Sequence, residues 1–133
     1  LMRHAIPDKF PKLRFGFIEA NSSWIPYVIY DLKRRIQEGR PRSTFGNNEY
    51  VIQSDLLKKN RMYVTCQSDE DLSYILKFSG EENLIIGSDY THKDQSMDHD
   101  FPRLLQERAN NGDIPQSAVS KILYDNPKAF YGL

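Results

Sequence analysis

Asn83-Leu84-Ile85-Ile86-Gly87-Ser88-Asp89-Tyr90-Thr91-His92 is the stretch on which the reading of this chain turns. It opens as a short apolar run, Leu84 to Ile86, and breaks into Gly-Ser ahead of a single carboxylate. An apolar run with β-branched residues, bounded by glycine, predicts a strand buried on both faces. A carboxylate at the carboxyl end of such a strand stands where α/β barrels and doubly wound sheets keep their chemistry. The plainer alternative is that Asp89 caps the next segment or begins a turn.

The same pattern occurs twice upstream. Lys12 to Glu19 predicts a strand: Leu13, Phe15, Phe17 and Ile18 are β-type residues, Gly16 allows a close neighbour, and Glu19 puts a second carboxylate at its end. Asn21-Ser22-Ser23 offers N-caps for a helix over Trp24 to Gln37, with Pro26 in its first turn and Ile25, Val28, Leu32 and Ile36 facing inward. Lys33-Arg34-Arg35 lies on its solvated face, and Gly39 stops it. Arg61 to Cys66 predicts the third strand. Ser68-Asp69-Glu70-Asp71 reads as a capping box for a helix that buries Leu72, Ile75 and Leu76 and ends at Gly80.

Around these units the signals are weaker. Leu1 to Lys9 reads as the tail of a helix, with His4 as a surface or cap residue. Arg40 to Asn48 reads as a surface loop, followed by a short helix capped at Ser54 with Leu56-Leu57 inward. A helix is predicted over Phe101 to Asn110, entered near Pro102, and a last one over Pro115 to Tyr124 carrying Val119, Ile122 and Leu123. Asn126-Pro127 is expected to break it, leaving Phe130-Tyr131 as a C-terminal latch. Strand–helix alternation of this kind gives parallel strands with right-handed crossovers.

Composition narrows the function classes. The 18 basic and 18 acidic residues balance, so nothing favours nucleic acid or an anionic membrane. No apolar run approaches the roughly 20 residues of a membrane span. The single Cys66 excludes an internal disulfide and fits a reducing, cytoplasmic setting. At 133 residues the chain is one domain's worth, but a complete (β/α)₈ barrel needs about 250. Leu1 ahead of Met2 suggests a cut polypeptide.

Ile86-Gly-Ser-Asp-Tyr-Thr-His92 resembles the signature at the last barrel strand of the amidohydrolase-related metal enzymes. More narrowly, it is similar to the group that includes aminocarboxymuconate semialdehyde decarboxylase and the hydroxybenzoate decarboxylases, with Thr91 where they usually have proline. Phe10 to Glu19, Trp24 to Tyr27 and Asn126 to Leu133 agree with it in order. The resemblance implies an α/β fold: a partial (β/α)₈ TIM barrel, approximately strands six to eight with their helices. Residues 1–133 would then be a single C-terminal portion of the barrel domain.

It also implies a divalent metal, zinc by preference, held by a His-x-His pair on strand one, a histidine on strand five and the aspartate on strand eight. Only the last has a counterpart here, Asp89, as metal ligand and proton acceptor; the chain's histidines are His4, His92 and His99. Metal is therefore expected in the complete protein, and this chain alone is expected to bind it weakly or not at all. Glu19 falls where many relatives carry a catalytic histidine, one residue out of step with the spacing to Pro26. A carboxylate there cannot stabilise developing negative charge as an imidazolium does, and capping of the next helix is the alternative role.

His92, followed by Asp94, is available to a substrate carboxylate or carbonyl, or is an exposed loop histidine without a role. Trp24 is the second substrate-binding candidate, although its helical spacing with Tyr27 and Tyr30 favours core packing for all three. Asp98, His99 and Asp100 are adjacent on a polar loop, and adjacent ligands rarely reach one ion.

The reading is a fragment of a metal-dependent enzyme that hydrolyses or non-oxidatively decarboxylates a small carboxylated or carbonyl substrate. Its expected partners are that small molecule and the remaining barrel or a second copy, with neither nucleic acid nor membrane. The competing reading is a non-catalytic half-barrel that functions only by association. A phosphate-binding doubly wound domain is weaker, because no Gly-rich loop follows any strand.

Overall fold

Phe15-Gly-Phe17, Met62-Tyr-Val-Thr-Cys66 and Leu84-Ile-Ile86 are short runs of β-branched and aromatic residues, and they pair as strands β1, β2 and β3. Both pairings are parallel, in the order β1-β2-β3, with Phe17 opposite Val64 and Val64 opposite Leu84. The computed structural model describes residues 1, 6–37, 55–93 and 97–133. Expectations for His4, the Arg40–Asn48 loop, the Ser54 cap and Asp94 lie outside those residues. Helix α1 covers Ile6–Lys9, α2 Ile25–Gln37, α3 Leu56–Lys59, α4 Leu72–Ser79, α5 Phe101–Asn110, α6 Gln116–Ser120 and α7 Asn126–Tyr131.

Side chains alternate across a strand, so the two sheet faces have different fates. Met62, Val64, Cys66 and Leu84, with Phe15 and Phe17 at the margin, pack against the helices through Ile25, Ile29, Leu72, Ile75, Leu105 and Ile122. Gly16, Tyr63, Thr65 and Ile85 occupy the opposite face. There Phe130 of α7 lies over Gly16 and stacks on Tyr63, with ring centroids 5.3 Å apart. A Cβ on Gly16 would stand 2.6 Å from the Phe130 ring, which is why a side chain does not fit there. Phe130 is thus the expected latch, whereas Tyr131 stays exposed.

Four expectations need correction. The predicted capping box does not form: Asp71 is the N-cap of α4, its carboxylate accepting from Tyr74 N at 3.0 Å. Ser68 and Glu70 are drawn away by stronger tertiary partners. Asn126-Pro127 does not break the last helix. The chain passes from α6 through a π-helical segment, Lys121–Asp125, directly into α7, where Pro127 sits in the first turn. A widened turn absorbs the missing N–H that would interrupt a regular helix.

Tyr27 and Tyr30 are not core residues; both are largely exposed on α2, whose inward stripe runs through Ile25 and Ile29. The strand predicted over Lys12 to Glu19 narrows to its three central residues, because Leu13 and Ile18 extend past its ladder and are half exposed. Among the described residues no helix is long and apolar enough to cross a membrane.

Asparagines hold the amino ends of the strands. Asn126 is buried and donates from Nδ2 to Glu81 O and Leu84 O, both at 2.7 Å. Asn83 donates to Met62 O at 2.8 Å. Removing the Asn126 donor leaves two carbonyls without it, so Asn126→Ala should lower stability by about 1–3 kcal/mol. Asn126→Asp should cost more, since a carboxylate facing two carbonyls has nothing to donate. Urea unfolding midpoints measure both.

Candidate active site

Parallel pairing brings all three strand ends to one edge, and the turns beyond them enclose a cleft of about 710 Å³. Glu19 and Asn21 enter it from the turn after β1, Gln67 from the turn after β2, and Ser88, Asp89 and His92 from the turn after β3. Thr65, Ile86 and Gly87 contribute the strand ends themselves. Thr65 Oγ1 donates to Phe17 O at 3.3 Å, and Gly87 N donates to Cys66 O at 3.1 Å, carrying the ladder to the cleft. Gly87 has to be small there: a Cβ would stand 2.8 Å from Thr65 Cβ and 3.0 Å from Cys66 O.

The structure brings together three of the four sequence candidates, Glu19, Asp89 and His92. Both carboxylate residues have left-handed backbones, φ 57° at Glu19 and 46° at Asp89, which are uncommon for residues other than glycine and cluster at functional sites. Asp89 is well covered, with a side chain 13% exposed, and His92 Nδ1 lies 3.0 Å from its Oδ2. His92 N also donates to Asp89 O at 3.2 Å, so the segment wraps into one turn. Trp24 lies outside the cleft lining. Its indole packs against Phe17 with centroids 5.4 Å apart, and its Nε1 donates to Asn21 O at 2.9 Å.

Sequence reasoning missed the group that holds these turns. Glu70 is buried, and its carboxylate accepts from Ser22 N and Oγ, Ser23 N and Oγ, and Gln67 N, at 2.6–2.9 Å. From the other side Arg108 of α5 donates to Ser68 O at 2.9 Å and Glu70 O at 2.6 Å, while binding Asp113 at 2.6 Å. Asp98 fastens the third turn: its N–H donates to Ser88 O at 2.9 Å and its Oδ2 accepts from Ser68 Oγ. Apart from Gln67 with Glu70, Arg108 with Asp113 and Asp98 with Ser88, the partners lie 30 to 48 residues apart, so no local motif announces those contacts. Asp98 and Asp100 are therefore fastening groups: Asp98 accepts from Asp100 N, and Asp100 pairs with Arg103.

The electrostatics follow from burial. Cys66 lies beneath the cleft, its Sγ 3.5 Å from Ile85 O; burial and then the charge of Glu70 push its thiol far up, so it stays protonated and is no nucleophile. For Glu70, burial opposes the charged form, but hydrogen bonds from Ser23, Gln67 and Ser22 outweigh it and hold the carboxyl below the ordinary glutamate range.

A folded-state value below the unfolded one contributes stability that is fully present above the unfolded value, about 4.3, and is lost as pH falls through the folded one. Glu70→Gln should lower stability near neutral pH by about 2–3 kcal/mol and make the acid limb of the unfolding curve shallower. Denaturant midpoints between pH 2 and 7 test it, and parallel curves for the two proteins would refute it.

Comparisons with known proteins agree with this architecture. The structure aligns with the crystal structure of an amidohydrolase from Mycobacterium avium subsp. paratuberculosis K-10 at a TM-score of 0.70 and 20% identity. The alignment covers 97% of this chain and 30% of that one, so the likeness concerns the fold of part of a larger chain. No curated protein matches the sequence. The amidohydrolase family model matches residues 1–133, and the chain belongs to the amidohydrolase family.

Proposed function

We propose that this chain is the C-terminal, carboxylate-bearing wall of a metal-dependent amidohydrolase barrel, contributing strands six to eight. The observation that carries the reading is the convergence of Glu19, Asp89 and His92 on one cleft at the carboxyl edge of a parallel sheet. Chemistry gathers at that edge in barrels of this kind.

Among the described residues no three His, Cys, Asp or Glu side chains stand close enough to hold an ion. The donor set fits a share of a metal site: Asp89 would be the ligand from this wall, the others coming from earlier strands. A divalent ion, zinc in this reading, would supply Lewis acidity and a water of lowered pKa. Asp89 is oriented by His92 and by its left-handed backbone, which suits a carboxylate accepting a proton from water at the cleft floor. Glu19, exposed at the opposite wall, is available to a substrate N–H or O–H.

Asn21, Gln67 and Ser88 offer neutral groups that can orient a carbonyl. No Lys or Arg lines the cleft among the described residues. The ion held by Asp89 would offset that carboxylate's charge, so the wall does not choose between hydrolysis and non-oxidative decarboxylation. A substrate role for Trp24 reduces to support of the β1–α2 turn, through its bond to Asn21.

Strands β1 and β3 are the edges of the described sheet, and open edges invite pairing. The earlier barrel strands are the proposed partner, with a second copy as the alternative; the solution mass of the chain expressed alone, 15.6 kDa for a monomer, decides between association and its absence.

The full-length protein should hydrolyse p-nitrophenyl acetate in a zinc-dependent, chelator-sensitive way. Asp89→Asn should lower that rate at least about 100-fold and weaken zinc binding, as loss of a ligand or its support does. Zinc-dependent release of carbon dioxide from a hydroxybenzoate, with no ester hydrolysis, would establish decarboxylation instead. An Asp89→Asn protein with wild-type zinc affinity and turnover would sink the assignment.

A further inference from the structure

Glu70 stands behind the cleft and lines none of it, yet it grips the two turns that do. Four of its five hydrogen bonds come from Ser22 and Ser23, directly after Glu19 and Asn21; the fifth comes from Gln67 N at 2.9 Å. Glu19, Asn21 and Gln67 are all cleft residues. The β1–α2 turn has one backbone bond of its own, Ile25 N to Ser22 O at 3.0 Å, and it carries Glu19 at φ 57°, a conformation that a residue of this type keeps where surrounding structure imposes it. Among the described residues, and apart from the bond of Trp24 Nε1 to Asn21 O at 2.9 Å, the side-chain hydrogen bonds reaching residues 19–23 end on Glu70.

A carboxylate is the one side-chain group suited to this place. Ser22 N and Ser23 N, fixed in direction by the backbone, converge on Oε1, while Gln67 N points at Oε2. Both oxygens must therefore accept. Glutamine has one acceptor and one NH₂, so in either orientation it sets a donor against a backbone donor that cannot turn away.

We propose that Glu70 is the positioning residue of the cleft, its buried anion setting the β1–α2 turn through Ser22 and Ser23 and so fixing where Glu19 and Asn21 face Asp89. This deepens the active-site reading above and rests on it for its functional meaning, but the positioning itself is measured without any substrate.

The test is hydrogen exchange by mass spectrometry on the full-length protein, comparing wild type with Glu70→Gln, Glu70→Asp and the double variant Ser22→Ala/Ser23→Ala. In Glu70→Gln, peptides spanning residues 19–24 should gain about tenfold or more in exchange relative to those spanning α5, whose own rise reports only the lower global stability. Glu70→Asp, which keeps the anion, should restore part of the protection. The serine double variant loses two hydroxyl donors but keeps the amides, and should give a smaller increase in the same peptides. A crystal structure of Glu70→Gln should show Glu19 out of the left-handed region.

Wild-type exchange over residues 19–24 in folded Glu70→Gln would overturn the proposal, as would an equal rise in every peptide. If Glu70→Gln does not fold, the serine variant decides: a local increase supports the clamp and no change refutes it. Should Asp89→Asn keep full turnover while the Glu70 variants loosen the turn, the active-site reading fails and the clamp stands.

Discussion

Parallel pairing is the constraint from which the rest follows. Strands that run the same way end at the same edge, so the residues just beyond β1, β2 and β3 are brought together whatever separates them in sequence. Glu19 and Asp89 are 70 positions apart in the chain and share one cleft for that reason alone. Every connection must then cross back over one face, and the helices that do so bury Val64, Cys66 and Leu84 completely.

Both edges of the sheet are held by side-chain hydrogen bonds to the backbone. At the amino edge, Asn83 and Asn126 satisfy strand carbonyls with neutral amide donors. At the carboxyl edge, a buried carboxylate, an arginine and an aspartate fasten the turns, through Glu70, Arg108 and Asp98. Charge-assisted hydrogen bonds are stronger and more directional than neutral ones, which suits turns that carry left-handed residues and must keep a fixed shape. The amino edge uses one such group as well: Arg61, left-handed at φ 52° just before β2, donates from its guanidinium to Leu13 O at 2.9 Å and to Pro7 O.

The cleft is acidic on the wall this chain supplies. Asp89 with His92 lies on one side, Glu19 on another, and neutral Asn21, Gln67 and Ser88 between them. Such a surface is complementary to a cation or to a substrate that donates hydrogen bonds, and unfavourable to a free anion. The proposed divalent ion would exploit that complementarity.

The sequence by itself determined the elements and their order: three strands, each followed by a helix, with Asp89 at the end of the third and Glu19 at the end of the first. Period-2 and 3.6 patterns, glycine stops and proline entries are local signals, and they placed Leu84–Ile86, Met62–Cys66 and Phe101–Asn110 within a residue of where they lie. It also carried the family, because the Gly87-Ser-Asp-Tyr segment at a strand end is a local pattern. Only the tertiary structure decided what Glu70 does. In the sequence it is one acid among three between Ser68 and Leu72, equally suited to a helix cap; in the fold it is buried against Ser22 and Ser23. The same holds for Asn126, which reads as a helix breaker beside proline and is instead a buried donor to the start of β3. Both misreadings have one cause. A side chain's partner is set by what the sheet brings alongside it, and a buried donor or acceptor without a partner costs more than any local preference can return.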